Sequence, residues 1–368
     1  MAIKAANIKG ALLEYIVRNL LRSCGFYNVM ADNLFSFERN GLFFLNGKGA
    51  AHDADVIMNP PIQMPFTYPT QVIFECKAYG SGTSLTIVRN ALGLRSDLND
   101  FEIVTRDTLL KRQNYRRAPY AVDSRKRYLY QVGVASVNDF SKPAIEFSIN
   151  NKIPLISLSW FLSQSTITDF NNITQPIVDG FNTADIKNLY DYLKDRNADF
   201  SARNYSSAHG IIRGDNIIGR ILEDANESIR RSYVGLLETG DLIFLFSSSS
   251  VPDFQFNEFR GIPNLEAEIH WMSSSPNRWL LSVKPVHHWR DTPPIMEFEF
   301  FLPRRIFNHW KQFNLDKSRA LDIKQEFFSK IFIFNKRERL DTPFFVINID
   351  REWLESARHN LRSRPFMD

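Results

Sequence analysis

The stretch Gln71–Tyr79 reads QVIFECKAY, an apolar run of branched and aromatic residues carrying two charges set two residues apart. Side chains on a strand alternate between its faces, so Val72, Phe74 and Cys76 share one face while Ile73, Glu75 and Lys77 share the other. A carboxylate and an amine become neighbours on an otherwise buried strand. Upstream, Asp55 opens a second apolar run, DVIM, and the Pro-rich PPIQMPFTYPT between the two runs is short enough to fold them side by side as an antiparallel pair. Two carboxylates then converge beside one lysine. Hard divalent cations such as Mg²⁺ take oxygen ligands and keep several waters, which makes Asp55 and Glu75 candidate ligands and Lys77 the group that orients or deprotonates an attacking water.

Working outward, Leu12, Leu13, Ile16, Val17, Leu20 and Leu21 recur at helical spacing and Gly25 supplies a stop, so a first helix precedes the strands. Glu14 lies on this helix away from the apolar stripe, where simple exposure is the ordinary expectation. GFYNV, NLFSFE and GLFFLNG are short strand candidates separated by Asn and Gly. After Lys77 the pattern predicts a helix over Ser84–Leu98, a strand at YLYQVGVAS, a helix at Lys142–Asn150 and a last strand at IPLISL. This order predicts an α/β domain over residues 1–165, with a mixed central sheet flanked by helices. Residues 166–210, rich in Asn, Asp, Thr and Ser, read as a connector holding one helix, Ala184–Lys194. Beyond it, a helix at Ile217–Ser232 and strongly alternating runs such as LEAEIHWM, RWLLSVKPV and IMEFEFFLP predict an α+β domain over 211–368.

Composition bounds the function. The 368 residues are 44% hydrophobic and 23% charged, ordinary for a folded globular chain and unlike disordered or rod-like sequences. Cys24 and Cys76 are too few for a disulfide framework or a four-thiolate zinc site and fit a reducing cytoplasm. No signal peptide or membrane span is expected, because Glu14 interrupts the first apolar segment and four prolines break the uncharged stretch 56–74. Gly47-Lys48-Gly49 lacks the spacing of a phosphate-binding P-loop, and there is no G-x-S-x-G elbow or H-E-x-x-H helix. His287 and His288, with His270 and His309, lack regular ligand spacing and read as surface or packing histidines.

Glu14 on the first helix, Asp55, and Glu75-Cys76-Lys77 on a strand together resemble the helix-borne acid and D…ExK core of the PD-(D/E)xK restriction-endonuclease-like nucleases. KGALLEYIVRNLLRSCGF, GKGAAHDADV, VIFECKAYG, VRNALGLRSDLND and YLYQVGVASVNDFSKPAIEFSINNKIPLISL narrow the resemblance to the Mrr-type branch, over roughly residues 8–160. Ala54 precedes Asp55 where the family name has Pro, and His52-Asp53 stands where similar nucleases often read His-Gln. Asp53 and Asp55 would share one strand face, leaving either as the ligand, with Asp55 preferred because it enters the apolar strand directly. The resemblance implies an Mg²⁺- or Mn²⁺-dependent endodeoxyribonuclease of restriction or phage defence, with Asp55, Glu75 and Glu14 as metal ligands and Lys77 beside them. It also implies a polar helper near the metal, a part Gln131 could take. His52 is a candidate brace for the Asp55 loop, although a lone histidine is more often a satisfied structural one.

Between Phe101 and Tyr130 lie eight basic residues against three acidic ones. Arg112, Arg116, Arg117, Arg125, Lys126 and Arg127, interleaved with Tyr115, Tyr120 and Tyr128, are expected to contact nucleic-acid phosphates and bases. Gly80–Ser84, before a helix, is a weaker phosphate-binding candidate. In the second domain Trp271, Trp279, Trp289, Trp310, Arg290, Arg304 and Arg305 are candidates for recognition of a DNA target or a partner protein, or for a core. DNA is the expected partner, with RNA as an alternative substrate and a homodimer as the expected way to cut two strands. The competing expectation is a non-catalytic nucleic-acid-binding or assembly subunit of the same fold.

Overall fold

The structure is a computed structural model that describes residues 3–39, 41–63, 66–101, 128–198, 209–239, 242–247, 265–272, 275–285, 294–334 and 344–362. A long helix, α1 (Ala5–Ser23), leads into β1 (Tyr27–Asn28), and Gly25 at φ 82° turns the chain between them. Next come β2 (Ser36–Arg39), β3 (Leu42–Asn46) and β4 (Ala51–Asp53), which form a three-stranded antiparallel sheet of their own. The central sheet is built from β1, β5 (Val56–Asn59), β6 (Thr70–Lys77), β7 (Leu129–Ser136) and β8 (Leu155–Ser157), in the order β1-β5-β6-β7-β8.

Its pairing is mixed: β5 runs antiparallel to both β1 and β6, whereas β6-β7 and β7-β8 are parallel. Parallel neighbours need crossover helices. Here these are α2 (Leu85–Asn99), between β6 and β7, and α3 (Lys142–Asn151), between β7 and β8. Val88 and Ala91 of α2 and Ala144 and Ile145 of α3 share a core with Ile73, Val132 and Val134. Phe74, Cys76 and Ala135 pack on the opposite face with α1. The sheet is thus mixed and carries helices on both faces.

The Phe74 ring packs over Gly133 because that residue has no side chain. A Cβ there would stand 2.6 Å from the Phe74 ring and 2.7 Å from the Pro154 carbonyl oxygen. Gly133→Ala is therefore expected to destabilise the protein by about 1–3 kcal/mol. Thermal melting checks this, and an unchanged melting temperature would mean that Phe74 and the Pro154 carbonyl give way at no cost.

The expected connector is absent as such. Residues 164–194 instead form α4 (Gln164–Asn171), α5 (Gln175–Asp179) and α6 (Thr183–Lys194). Ile167, Phe170, Val178, Leu189 and Leu193 of these helices join the α1 core. The polar composition that suggested a linker belongs to caps and outer faces: Ser163 accepts the Thr166 amide and Asn182 the Ala184 amide. Clamped between this layer and the sheet, α1 is buried all round from Ala11 to Leu21, so Glu14 is not the exposed residue its helical position suggests. After α7 (His209–Ile212), α8 (Ile217–Arg231) also packs here through Ile218, Ile221 and Ala225, moving the boundary of the second body from residue 211 to about 232.

From Ser232 the α+β expectation becomes a specific architecture, a closed barrel of seven strands. They are β9 (Ser232–Leu237), β10 (Leu242–Ser247), β11 (Leu265–Met272), β12 (Ser275–Pro285), β13 (Met296–Phe301), β14 (Lys330–Phe334) and β15 (Phe344–Ile349). Closure removes exposed sheet edges, the liability of strands this aromatic. Three helices accompany the barrel, α9 (Arg304–Lys311), α10 (Lys317–Phe327) and α11 (Arg351–Arg362). Trp279 and Trp310 lie in its core, so of the recognition candidates these two are packing residues. Trp289, Arg290, His287 and His288 lie outside the described residues, as do the side chains of Arg304 and Arg305.

Lys324 of α10 is buried in the barrel core with its ammonium over Trp271, Trp353 and Trp279, at 4.7, 5.1 and 5.4 Å from the ring centroids. Burial pushes its pKa down from 10.5 to about 7 despite these cation–π contacts. Between those two values the unfolded chain holds the proton more tightly than the folded one, so this lysine makes stability rise as pH increases from about 7 towards 10.5. Lys324→Met is expected to flatten that rise in denaturation curves collected across the interval, and an unaltered slope would contradict it.

Candidate active site

The site forms where β4, β5 and β6 end together. The chain leaves the small sheet at Asp53, crosses Ala54 and enters the central sheet at Val56, so Asp55 stands at the junction. Val56 pairs with Phe74, which sets Asp55 opposite Glu75 one step further along. Asp55 Oδ2 accepts the Cys76 backbone N–H at 2.8 Å, fixing the carboxylate against β6. Lys77 Nζ lies 3.2 Å from Glu75 Oε2 and 3.9 Å from Asp55 Oδ2. The three side chains keep between 21% and 29% of their surface exposed, so they are held and yet reachable by water.

Asp53 and Asp55 do not share one strand, contrary to expectation. Asp53 closes β4 and pairs with Phe44, while Asp55 belongs to the entry of β5. Only Asp55 is bonded to the Glu75 strand, which favours it over Asp53 as the central acid. Asp53 nevertheless stays within its electrostatic reach: burial and the Asp55 charge raise its pKa. Burial and Asp55 raise that of Glu75 as well. For Lys77 burial opposes the charge, but Glu75 and Asp55 outweigh it and hold the ammonium above its ordinary pKa. Lys77 is thus an ammonium donor in this state, suited to orienting a water or an anion rather than to removing a proton.

Glu14 approaches from the α1 side of the sheet. Burial pushes its pKa up to about 7, against the pull of Lys194 and with the Asp55 charge adding to the rise. Its Oε2 lies 2.6 Å from Lys194 Nζ, at the end of α6. Lys194 was missing from the sequence-derived set. The helix that carries it was legible, but nothing in its local pattern marks a lysine as part of a site 180 positions from its partner.

Gln131 is not brought here. It pairs with Val72 and shares the face of Phe74 and Cys76, opposite to Glu75 and Lys77 and about 10 Å of strand away. His52 does not brace the Asp55 loop directly. Its Nε2 lies 2.7 Å from Asp97 Oδ2, and Asp97 Oδ1 accepts the Gly49 amide, so this pair ties the β3–β4 hairpin to α2. In the Gly80–Ser84 loop the Thr83 amide is taken by Asp139 O, which removes one donor from the proposed phosphate cradle. Tyr79 O accepts the Asn138 side-chain amide at 2.8 Å, holding the loop against the end of β7. Arg112, Arg116, Arg117, Arg125, Lys126 and Arg127 lie outside the described residues. In the barrel, His270 pairs with Glu268 at 3.2 Å and His309 with Arg319 at 2.7 Å.

Among the described residues no three His, Cys, Asp or Glu side chains form a group that could hold a metal ion. Glu75 and Glu14 are instead each turned to a lysine. No protein family matches this chain, and no curated protein is similar to it. One solved structure, the crystal structure of a protein of unknown function, AF1548, covers 60% of this chain and 98% of its own at 13% identity, with a TM-score of 0.29, too low to assign a fold.

Proposed function

We propose that this chain is a metal-dependent endodeoxyribonuclease of the PD-(D/E)xK kind, hydrolysing DNA phosphodiester bonds in restriction or phage defence. One observation carries it: Asp55, at the entry of β5 and held by the Cys76 amide, and Glu75 of the paired β6 meet Lys77 at a strand end that water reaches. Four carboxylates, Asp53, Asp55, Glu75 and Glu14, face two ammonium groups, Lys77 and Lys194, through the pairs and charge interactions described above. Asp55 and Glu75 share the single Lys77 ammonium, which leaves net negative charge that a divalent cation would offset. The oxygen donors also suit Mg²⁺ or Mn²⁺, with Asp55 and Glu75 as the residues that would hold it.

When bound, such a cation supplies Lewis-acid polarisation of the phosphodiester and neutralises charge between acids and substrate. The chain's own residues do the rest. Lys77, a donor only, orients the attacking water and stabilises the negative charge that grows on the phosphoryl oxygens as the P–O bond to the leaving sugar oxygen breaks. The Cys76 amide keeps Asp55 aimed at the same point. No helix among the described residues is long and apolar enough to cross a membrane. A homodimer, one site to each strand of a duplex, is the arrangement proposed for cutting both strands.

Supercoiled plasmid with the full chain and Mg²⁺ or Mn²⁺ tests the proposal: nicked or linear DNA is expected, and Asp55→Ala is expected to abolish it. If the wild-type chain retains DNA in a salt-sensitive manner yet cuts under neither metal, it is a binding or assembly subunit instead. Cleavage of RNA in preference to DNA of matched length would move the substrate to RNA.

A further inference from the structure

We infer that Lys194 is a second phosphate-binding cation of this site and that Glu14 is its positioning residue rather than a metal ligand. The inference rests on the nuclease reading and names a contact that no sequence motif supplies. In the Glu14–Lys194 pair the carboxylate is the enclosed partner, 9% exposed, and the ammonium side chain the accessible one, 25% exposed. The buried acid therefore works as a fixed anchor, and the cation it holds is presented outward.

The backbone that carries Lys194 is equally fixed. Lys194 is the last residue of α6, where helix carbonyls lose their internal partners. Arginines of α1 take over: Arg18 donates to Leu193 O at 2.7 Å, and Arg22 to Ala198 O at 2.6 Å and to Arg196 O. Tyr15 and Tyr192 hydroxyls join the same two helices at 3.0 Å.

Its charge acts on Asp53 and Asp55 as well as on Glu14, so it belongs to the acid cluster that Lys77 serves. The two ammonium groups come from different directions. Lys77 stands on the face of β6 that packs with α2, whereas Lys194 reaches in from the α1 side. An ammonium has three donors, and one bond to Glu14 leaves capacity for a phosphate oxygen. Lys77 beside Asp55 and Lys194 beside Glu14 present two cations from two sides of one acid cluster, which suits a chain of linked phosphates, such as the sugar–phosphate backbone of a polynucleotide, rather than a single small anion.

The test uses the full chain and a fluorescein-labelled DNA duplex in EDTA-containing buffer, with anisotropy titrations from 50 to 200 mM KCl, and separately a calorimetric Mn²⁺ titration without DNA. Lys194→Met is expected to weaken DNA binding and to reduce the slope of log affinity against log salt by about 0.9, the share of one phosphate contact. Lys194→Arg, which keeps the charge, is expected to restore most of that slope. Glu14→Gln is expected to weaken DNA binding while leaving Mn²⁺ affinity unchanged. A Lys194→Met protein with the wild-type slope would overturn the inference, and so would a Glu14→Gln protein whose Mn²⁺ affinity falls tenfold or more. Should Lys194→Met lower the melting temperature, the Arg variant at wild-type stability still decides: restored folding with an altered slope refutes a charge contact. A wild-type chain that binds with the full slope but never cuts removes the nuclease reading and leaves this contact standing. Plasmid cleavage by a chain whose slope ignores residue 194 does the reverse.

Discussion

Lys77→Ala is expected to lower metal-dependent DNA cleavage by about 10²–10³-fold, the usual loss when one donor aimed at developing transition-state charge is removed. Lys77 is the ammonium that Glu75 and Asp55 hold at 3.2 and 3.9 Å. Removing it takes away no oxygen donor and relieves no crowding between the acids. Affinity for Mn²⁺, measured calorimetrically without DNA, should therefore stay the same or rise while the turnover rate collapses. Asp55→Ala should behave differently, losing Mn²⁺ affinity together with cleavage, because the carboxylate opposite Glu75 is gone. Lys77→Arg is not expected to rescue: a planar guanidinium cannot reproduce the geometry of a compact ammonium between two carboxylates. Cleavage by Lys77→Ala within a few-fold of wild type would remove Lys77 from the chemistry.

Trp279→Ala carries the largest stability loss expected here, about 3–5 kcal/mol for a fully buried large aromatic. Trp279 has no exposed surface and sits at the centre of the barrel's aromatic cluster. Its ring centroid lies 5.6 Å from Trp310 in an edge-to-face arrangement, 5.8 Å from Phe328 and 6.4 Å from Phe300. Substitution would also remove one of the three rings facing the Lys324 ammonium, leaving a buried cation with less compensation. Chemical denaturation followed by tryptophan fluorescence and circular dichroism checks the magnitude. A loss below about 1 kcal/mol would mean that the barrel repacks around the void, against the cavity behaviour of close-packed cores.

The two effects separate two parts of the chain whose legibility in the sequence differed. QVIFECKAY could be assigned as a strand, and Glu75 and Lys77 to one of its faces, because alternation is a property of the backbone at each residue. The pairing of DVIM with it followed from a short intervening loop. The closed barrel did not follow, although LEAEIHWM, RWLLSVKPV and IMEFEFFLP were legible as strands. Its closure depends on β11 pairing in parallel with β15 and β9 pairing with both β10 and β14, choices that no local pattern encodes. Likewise, Asp53 and Asp55 look equivalent in sequence, and they separate only because the chain changes sheets at Ala54.

The sequence by itself determined much of the helix and strand order of residues 5–157 and the neighbourhood of Asp55, Glu75 and Lys77. All of these arise from side-chain periodicity or from segments joined by short connections. Only the tertiary structure decided that residues 164–194 pack on α1, that Gln131 stands away from the site and that Lys194 holds Glu14. Those facts depend on which apolar faces bury one another across the whole chain, and a residue's own neighbours in sequence carry no record of a partner 180 positions away.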